Sequence, residues 1–431
     1  MTGNLKPTFA AASLGVALAG WWSTAGAAGF ALLEQNVSGL GNAYAGQAAS
    51  AQDASTIFFN PAGMTSLPDR QVVLSGVGIR PSATFSNSAS TPPFGATLSG
   101  TGGDAGSWAF LPSLYAAFAV TSDLRLGIGV NSPFGLKTDY ETPWLGQYQA
   151  IHSKLETVNV NPSIAYRLNN VVSLGAGVNW QRAKAELSQA TYFGPFGDGV
   201  ANVEGDSDAW GFNLGAMFQL SDDMRIGVAY RSNIKQDLDG TVTFSRPPGV
   251  PSAAAPDGDV SASVNLPETA SVSVFQKFGD KWDLMGDITW THWSRFKDLT
   301  VTRSTGALLS TQPENWDDSW RFSLGLNYHA NERLTWRFGT AFDQSPVPDA
   351  NRTARIPDND RIWASIGLQY AFTPTVLMDF GYSHLFVKNS SINQMNSGGL
   401  FDSLPAAARG SLVGDYDSSV DIVGVQLTWS F

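Results

Sequence analysis

The residues best suited to catalysis are few and scattered in this sequence of 431 residues. Its four histidines are His152, His292, His329 and His384, and none has the H-E-x-x-H spacing that places two zinc ligands on one helix face. The G-x-S-x-G turn of serine hydrolases and the glycine-lysine loop that binds nucleotide phosphates are also missing. The sequence therefore argues against an enzyme, and we predict no catalytic residue, no metal site and no cofactor.

Basic side chains offer a second kind of chemistry, the binding of a carboxylate. Arg182 and Lys184 lie in one segment that alternates like a β-strand. They fall on the same side of that strand as Leu174, Val178 and Trp180, and we assign this apolar side to membrane lipid. Either a bulge turns them inward, or the strand has already left the membrane at Arg182. Arg182 is thus a candidate substrate contact, with a solvated strand extension as the alternative.

A denser cluster of mixed charge lies further along the chain. It contains Arg352, Arg355, Arg361, Asp349, Asp358 and Asp360. Because mixed-charge clusters in barrels usually brace the inner wall or the base of a loop, we interpret this cluster as bracing, in preference to a substrate contact.

Apolar residues in connecting segments give the sharper signal. Tyr192, Phe193 and Phe196 fall in one predicted long loop, and Val250 follows two prolines in the next. Exposed apolar surface of this kind marks an interaction site, with ordinary loop packing as the alternative. Trp144 and Tyr148, which lie between the predicted third and fourth strands, add to this surface.

Composition limits the kind of fold that positions these residues. Charged residues make up 15% of the chain, well below the roughly 25% of soluble domains. The formal net charge of -11 argues against nucleic acid as a partner, and the absence of cysteine excludes disulfides and thiolate metal sites. Residues 1–27 have the apolar core and small-residue end of a cleaved secretory signal.

Strand-like alternation fills most of the remaining chain. In the segment 321–329, Phe322, Leu324 and Leu326 share one parity, whereas Ser323 and Asn327 share the other. We predict fourteen antiparallel strands, at 69–85, 107–121, 124–137, 154–168, 171–189, 206–220, 224–245, 259–278, 281–305, 316–330, 334–345, 360–372, 375–392 and 416–431.

These strands and their connectors favour an all-β transmembrane barrel, spanning residues 68–431, over a soluble β-sandwich. Later apolar runs are shorter than the roughly 18 residues that a membrane helix needs, and short turns alternate with longer loops such as 190–205, as in bacterial barrels. Five tryptophans near strand ends are expected in interfacial girdles, namely Trp290, Trp293, Trp316, Trp320 and Trp336.

One segment does not fit the strand pattern. Residues 28–67 are rich in Ala, Gly and Ser, carry only Glu34 and Asp53 as charges, and suggest short helices that end at Asn60-Pro61. Small residues pack closely, so we predict that this segment, hereafter the plug, fills the barrel as a small helical hatch.

The order of several motifs resembles the FadL/TodX family of outer-membrane channels for hydrophobic compounds. The similarity rests on AGF, SGLGNAYAGQAA and NPAGM in the plug, and on SPFGLKTDY, AYRLNN, SPVPDANR and IPDNDR downstream. It spans the mature chain and implies a 14-stranded barrel closed by an N-terminal hatch. It also implies that neighbouring loops form an outer groove for substrate.

The resemblance also suggests further site residues. Phe30 is expected beside an inner pocket, and the Ser132-Pro133-Phe134-Gly135 run is expected to break the third strand and open the wall sideways. Ser132 and Phe134 are then candidate substrate contacts, whereas Pro133 and Gly135 are candidate gating residues.

The plug motif Asn60-Pro61-Ala62 is expected to act in gating as well, by lying against the break and pairing with its free backbone. One departure concerns Leu187, which replaces an inward basic residue of the fatty-acid importer as we align the two. A carboxylate clamp at that position is therefore in doubt.

The implied function is passive uptake of hydrophobic molecules, most of all long-chain fatty acids, through the outer membrane of a Gram-negative bacterium. Uptake of monoaromatic hydrocarbons or alkanes, and a structural or adhesive surface barrel, are the alternatives. The expected partners are the apolar substrate, outer-membrane lipids and the barrel-assembly machinery, with the chain as a monomer.

Overall fold

A computed structural model describes residues 28–397 and 405–431. The predicted signal sequence, residues 1–27, lies outside the described residues. The strands are β1 (Arg70–Asn87), β2 (Ala109–Ala119), β3 (Leu124–Asn131), β4 (Gly135–Asp139), β5 (His152–Arg167), β6 (Val172–Tyr192), β7 (Asp198–Gln219), β8 (Met224–Arg231), β9 (Ile234–Ser245), β10 (Gly258–Leu266), β11 (Thr269–Phe278), β12 (Trp282–Thr291), β13 (Asp298–Arg303), β14 (Leu308–Pro313), β15 (Ser319–His329), β16 (Leu334–Asp343), β17 (Arg361–Thr373), β18 (Val376–Val387), β19 (Ser390–Met395) and β20 (Ser411–Ser430).

These strands form one closed antiparallel sheet, because β1 pairs with β2 on one edge and with β20 on the other. Six wall segments are each interrupted once, at β3/β4, β8/β9, β10/β11, β12/β13, β14/β15 and β18/β19, so the twenty strands build fourteen wall segments. The predicted 14-stranded barrel is confirmed. Within the described ranges, no helix is long and apolar enough to cross a membrane.

The helices are short. The α-helices are α1 (Gln47–Ser50), α2 (Thr56–Phe59) and α3 (Ala406–Arg409), and the 3-10 helices are Leu40–Asn42, Pro61–Ser66, Pro93–Gly95, Gly194–Phe196, Ser252–Ala254, Trp293–Arg295 and Asp349–Asn351. Both α1 and α2 belong to the plug.

The two ends of the barrel differ. One, the turn end, carries the short connectors 120–123, 168–171, 220–223, 279–281, 330–333 and 374–375, and the other, the loop end, carries most of the long ones. The predicted long loop 190–205 is wrong. The β6–β7 ladder continues to the pair Tyr192 and Asp198, so only residues 193–197 remain as a loop.

Side-chain parity sets which surface faces outward. In β15, Phe322 and Leu324 are exposed on the outside, whereas Ser323 and Asn327 are buried on the inside. Trp320 and Trp336 are also exposed, as expected for girdle residues. The inner face is therefore polar or small, and it needs something to fill it.

The plug fills the lumen and is almost wholly buried. Inner-face glycines let its backbone approach the wall: a Cβ on Gly175 would collide with the backbone of Pro61 and Ala62, and one on Gly227 with that of Ala48. Gly127, which also faces inward, lies against Ile57 of the plug.

Wall arginines provide the polar half of this contact. An irregular backbone leaves buried carbonyls that need donors. Six arginines of the wall each donate to one plug carbonyl, in the pairs Arg125 to Leu67, Arg167 to Thr65, Arg225 to Ser50, Arg231 to Phe58, Arg321 to Ala43 and Arg337 to Ser38. The wall therefore holds the plug along most of its length.

Candidate functional site

An apolar cavity of about 610 Å³ lies at the loop end, hereafter the outer groove. It brings together five predicted groove residues, which are Tyr148, Tyr192, Phe193, Phe196 and Val250. They come from the loop 140–151, the β6–β7 tip and the loop 246–257. Phe196 is about half exposed, and Tyr192 stacks on Phe94 with ring centroids 4.4 Å apart.

Trp144 does not line the outer groove, contrary to expectation. Its ring stacks on Tyr140 at 4.0 Å, and its indole N–H donates to the carbonyl of Ala150 at 2.9 Å. Trp144 is fully buried. It therefore stabilises the loop 140–151 by packing within it, and its side chain is not available to a ligand in the groove.

A second cavity of about 100 Å³ lies deeper, hereafter the inner pocket. Phe30 lines it together with inward aliphatic side chains such as Ala183, Leu238 and Val264. Four residues line both cavities, namely Leu187, Val203, Leu299 and Val301. The groove and the pocket therefore meet at an apolar constriction.

Phe30 is enclosed by four other rings. Its centroid lies 4.7 Å from Trp293, 5.5 Å from Trp316, 5.7 Å from Phe296 and 6.2 Å from Phe134. The contacts with Trp293 and Phe296 are edge-to-face, a geometry that stabilises beyond simple burial. This aromatic cage ties the start of the plug to the wall.

The placement of Trp293 and Trp316 corrects the prediction that both belong to girdles. Each is about 1% exposed inside the barrel. The interruptions between β12 and β13 and between β14 and β15 bring both residues into the lumen. The sequence signal was the loss of alternation after Thr291 and Pro313. Beyond these residues, alternation no longer predicts whether a side chain faces the lipid or the lumen.

The third wall segment breaks between β3 and β4, at Ser132, Pro133 and Phe134. The β2–β3 ladder ends at the pair Leu114 and Val130, and β4 pairs with β5. In the part of the chain that the structure describes, residues 109–113 of β2 thus have no strand partner on this edge. A hydrogen bond of 3.0 Å from Asp139 N to Ala105 O closes the gap at the loop end. We call this gap the wall window.

The start of the plug covers the inner side of the break. Leu32 N donates to Pro133 O at 2.8 Å, and Gly135 N donates to Phe30 O at 2.9 Å. Phe134 N donates to the Thr157 hydroxyl at 3.0 Å. The broken strand therefore keeps its backbone hydrogen bonds through the plug and β5.

The plug motif Asn60-Pro61-Ala62 lies elsewhere, which corrects the expectation that Asn60 pairs with the third strand. The Asn60 amide donates to Ala48 O at 2.6 Å and to Ala216 O of β7 at 3.0 Å. This motif packs on inner-face glycines of β6 and β7. The partner differs because Phe30 and Leu32 already occupy the break.

A crevice of about 70 Å³ lies beside β4, hereafter the side crevice. It is bounded by Gly29 of the plug, Pro81 of β1 and Gly106 of the segment before β2. Leu136 and Ile356 line both this crevice and the inner pocket. Outer groove and inner pocket thus form a chain of apolar spaces, and the side crevice, which also carries Lys137, Asp358 and Arg361, leads from the inner pocket toward the wall window.

The charged candidates separate into outward and inward groups. Arg182 is exposed on the outer surface and pairs with Asp206 at 2.7 Å and Asp208 at 3.6 Å. This placement argues against a bulge that turns Arg182 into the lumen. Arg352 and Arg361 donate to Asp349 and Asp358 as predicted for bracing, whereas Arg355 lines the outer groove.

The chain matches the family model described as outer membrane protein transport protein (OMPP1/FadL/TodX) over residues 17–431. It is 31% identical over 427 residues to the long-chain fatty acid transport protein of Escherichia coli K12, covering 90% of this chain and 94% of that protein.

Two solved structures are also similar. The crystal structure of a Pseudomonas aeruginosa FadL homologue superposes with a TM-score of 0.86 at 27% identity, covering 94% of this chain and 100% of that one. The toluene transporter TbuX of Ralstonia pickettii shares the fold with a TM-score of 0.66 at 18% identity, covering 91% of this chain and 98% of that one.

Proposed function

Because the chain belongs to the OMPP1/FadL/TodX family of outer membrane transport proteins, we propose that it takes up long-chain fatty acids. It is a barrel of the bacterial outer membrane that transports hydrophobic compounds, and it is not an enzyme. The turn end then faces the periplasm and the loop end faces outward. The finer assignment to fatty acids draws on the relative from Escherichia coli.

The observation that carries this proposal is the chain of apolar spaces. A fatty acid enters the outer groove at Phe193, Phe196 and Val250, passes the constriction at Leu187, and reaches the inner pocket beside Phe30. Each step buries apolar area, which favours transfer from water by roughly 25 cal/mol per Å². No energy source is needed for entry.

We further propose that substrate leaves sideways through the wall window. The side crevice continues from the inner pocket through Leu136 and Ile356 to the edge of β4. Exit into the bilayer keeps an apolar chain out of periplasmic water, whereas exit through the plug requires many buried contacts to break. Displacement of Phe30 by substrate would release the bonds of the plug to the third wall segment.

Residues 1–27 act in this proposal as a cleaved signal, residues 28–67 as the hatch and residues 68–431 as the barrel. The chain is inserted by the barrel-assembly machinery and works as a monomer among outer-membrane lipids. Asn60, Pro61 and Ala62 contribute to gating by holding the hatch against β6 and β7.

Uptake of radiolabelled oleate and toluene into a strain that lacks the gene tests the proposal. Restoring the gene should restore oleate uptake at limiting concentration. Restored toluene uptake without oleate uptake would favour hydrocarbons, for which the apolar Leu187 beside the inner pocket is the supporting observation. No uptake of either would favour a structural or adhesive barrel.

A further inference from the structure

We propose that Arg355 anchors the carboxylate of the substrate at the floor of the outer groove, so that the alkyl tail enters the inner pocket first. This inference rests on the proposed uptake of fatty acids. It assigns the headgroup contact to the loop 344–360 instead of to the barrel wall.

The first support is the surroundings of the Arg355 guanidinium, which is partly buried and lines the outer groove. Its Nη1 donates to Ser153 Oγ at 3.0 Å and to His152 O at 3.1 Å, with a third contact to Ser188 O at 3.4 Å. Its Nη2 donates to Gln189 Oε1 at 2.9 Å. All of these acceptors are neutral.

The guanidinium also retains unused donors. An arginine offers five N–H groups, and among the described residues the Nε–H and one Nη2–H of Arg355 have no acceptor. An arginine binds a carboxylate most strongly through two parallel hydrogen bonds, and the free Nε–H can supply one of them. The four existing bonds hold the fork in place.

The charge of Arg355 is not balanced by an ion pair within the residues that the structure describes. Arg246 and Arg295, which also lie near the loop end, each have a carboxylate within 2.6 Å, from Asp257 and Glu268 respectively. The acid that interacts electrostatically with Arg355 is Glu314, whose pKa burial raises to about 8. Glu314 is therefore mostly uncharged at neutral pH and does not neutralise Arg355. The positive charge of Arg355 stays available to an anion in the groove.

A second polar group in the same cavity lacks a partner. Gln149 lines the outer groove and is only 6% exposed. Its Oε1 atom makes no hydrogen bond among the described residues. A buried amide without its partner is costly. Because Oε1 can only accept a hydrogen bond and an ionised carboxylate has none to donate, this atom needs a water or a hydroxyl donor in the groove and does not itself bind the carboxylate.

The direction of the tail follows from the neighbours of Arg355. Ile356, the next residue, lines the inner pocket, and Leu187 lines both cavities. A chain whose carboxylate lies at Arg355 therefore meets the constriction with its apolar end. The inner pocket is lined mainly by aliphatic and aromatic side chains, which suits a methyl end better than a charge.

Arg333 provides a matched control, since it is an exposed arginine in the connector 330–333 at the turn end, opposite the outer groove. Among the described residues it lines neither the outer groove nor the inner pocket. Arg333→Gln therefore removes the same charge as Arg355→Gln without changing either cavity.

The test compares oleate with methyl oleate, which has the same chain and no charge. Mature protein in amphipol is given each radiolabelled probe from cyclodextrin, and dissociation constants are measured for wild type, Arg355→Gln, Arg355→Lys and Arg333→Gln. Arg355→Gln should weaken oleate binding roughly tenfold to hundredfold. Methyl oleate binding should change by less than about twofold, Arg355→Lys should recover part of the loss, and Arg333→Gln should stay within about twofold of wild type.

Several outcomes overturn the inference. They are unchanged oleate binding by Arg355→Gln, an equal loss for both probes, or an equal or larger loss for Arg333→Gln. If Arg355→Gln does not fold, wild type must still bind oleate at least about tenfold more tightly than methyl oleate, and equal affinities refute the anchor. Wild type that binds neither probe contradicts the proposed function itself, whereas equal binding of both contradicts only the anchor.

Discussion

The backbone N–H of Leu32 donates to the carbonyl of Pro133 at 2.8 Å, which joins the plug to the broken third wall segment. Phe30, two residues earlier, lies in the aromatic cage at the inner pocket. The same short stretch therefore lines the pocket and covers the break. A ligand that moves Phe30 would also disturb the cover over the wall window, and this would link binding to the lateral exit that we propose.

The first prediction concerns capture in the outer groove. Replacing Phe193, Phe196 and Val250 by serine should slow oleate uptake at limiting concentration, because each apolar side chain contributes on the order of 1.5 to 3 kcal/mol if substrate covers it fully. Phe278→Ser, at the exposed turn end, is the control. Equal rates for the triple variant and the control at limiting oleate would refute capture by the groove.

The second prediction concerns the fit between plug and wall. Gly175→Val should displace the plug, since the new side chain meets the backbone of Pro61 and Ala62 and not a flexible side chain. Ion conductance in planar bilayers should rise while the barrel remains folded by heat-modifiable gel mobility. In the control Gly286→Val, the nearest atom to the new Cβ is Leu324 Cδ2 at 3.7 Å. Low conductance in both variants would argue against a tightly packed hatch.

The third prediction concerns pH. Burial raises the pKa of Glu314, in the segment between β14 and β15, from 4.5 to about 8. The folded state then keeps a proton that the unfolded chain releases, so the contribution of Glu314 to stability falls as pH rises through this window.

Glu314→Gln removes that dependence. Its Tm relative to wild type should therefore increase between about pH 5 and about pH 9. The exposed Glu204→Gln is the control, and its Tm difference should stay flat. A Glu314→Gln difference that is flat or decreases with pH would show that the buried carboxyl does not retain its proton.

Much of the barrel is predictable from the sequence because strand parity is a local property. Phe322 and Leu324 face outward and Ser323 faces inward in the structure, as their alternation predicts. Alternation predicts which way a side chain faces only within a continuous strand, so the prediction fails where a strand is interrupted. Trp293 and Trp316 stand in such interruptions, so their burial in the lumen depends on tertiary packing with Phe30 and not on local pattern.

The site was predictable only in part, for the same reason. Aromatic residues at the β6–β7 tip mark the outer groove. Their position between two predicted strands indicates that their apolar side chains are exposed to solvent. Asn60 has several backbone carbonyls within the lumen to choose from, and its pairing with Ala216 depends on how the plug folds. Arg355 belongs to a charged cluster that the sequence predicts to be structural. Only the structure shows that Arg355 lines the outer groove, whereas Arg352 pairs with Asp349.

The lateral route is tested most directly by repairing the third wall segment. Pro133→Val with Gly135→Val should favour a continuous strand, since valine restores a backbone N–H at position 133 and both changes suit extended structure. Pro162→Val, in the uninterrupted β5, is the control. We predict that the double variant folds, binds oleate and no longer transports it, whereas the control transports normally. Oleate uptake at the wild-type rate by a folded, oleate-binding double variant would contradict exit through the wall.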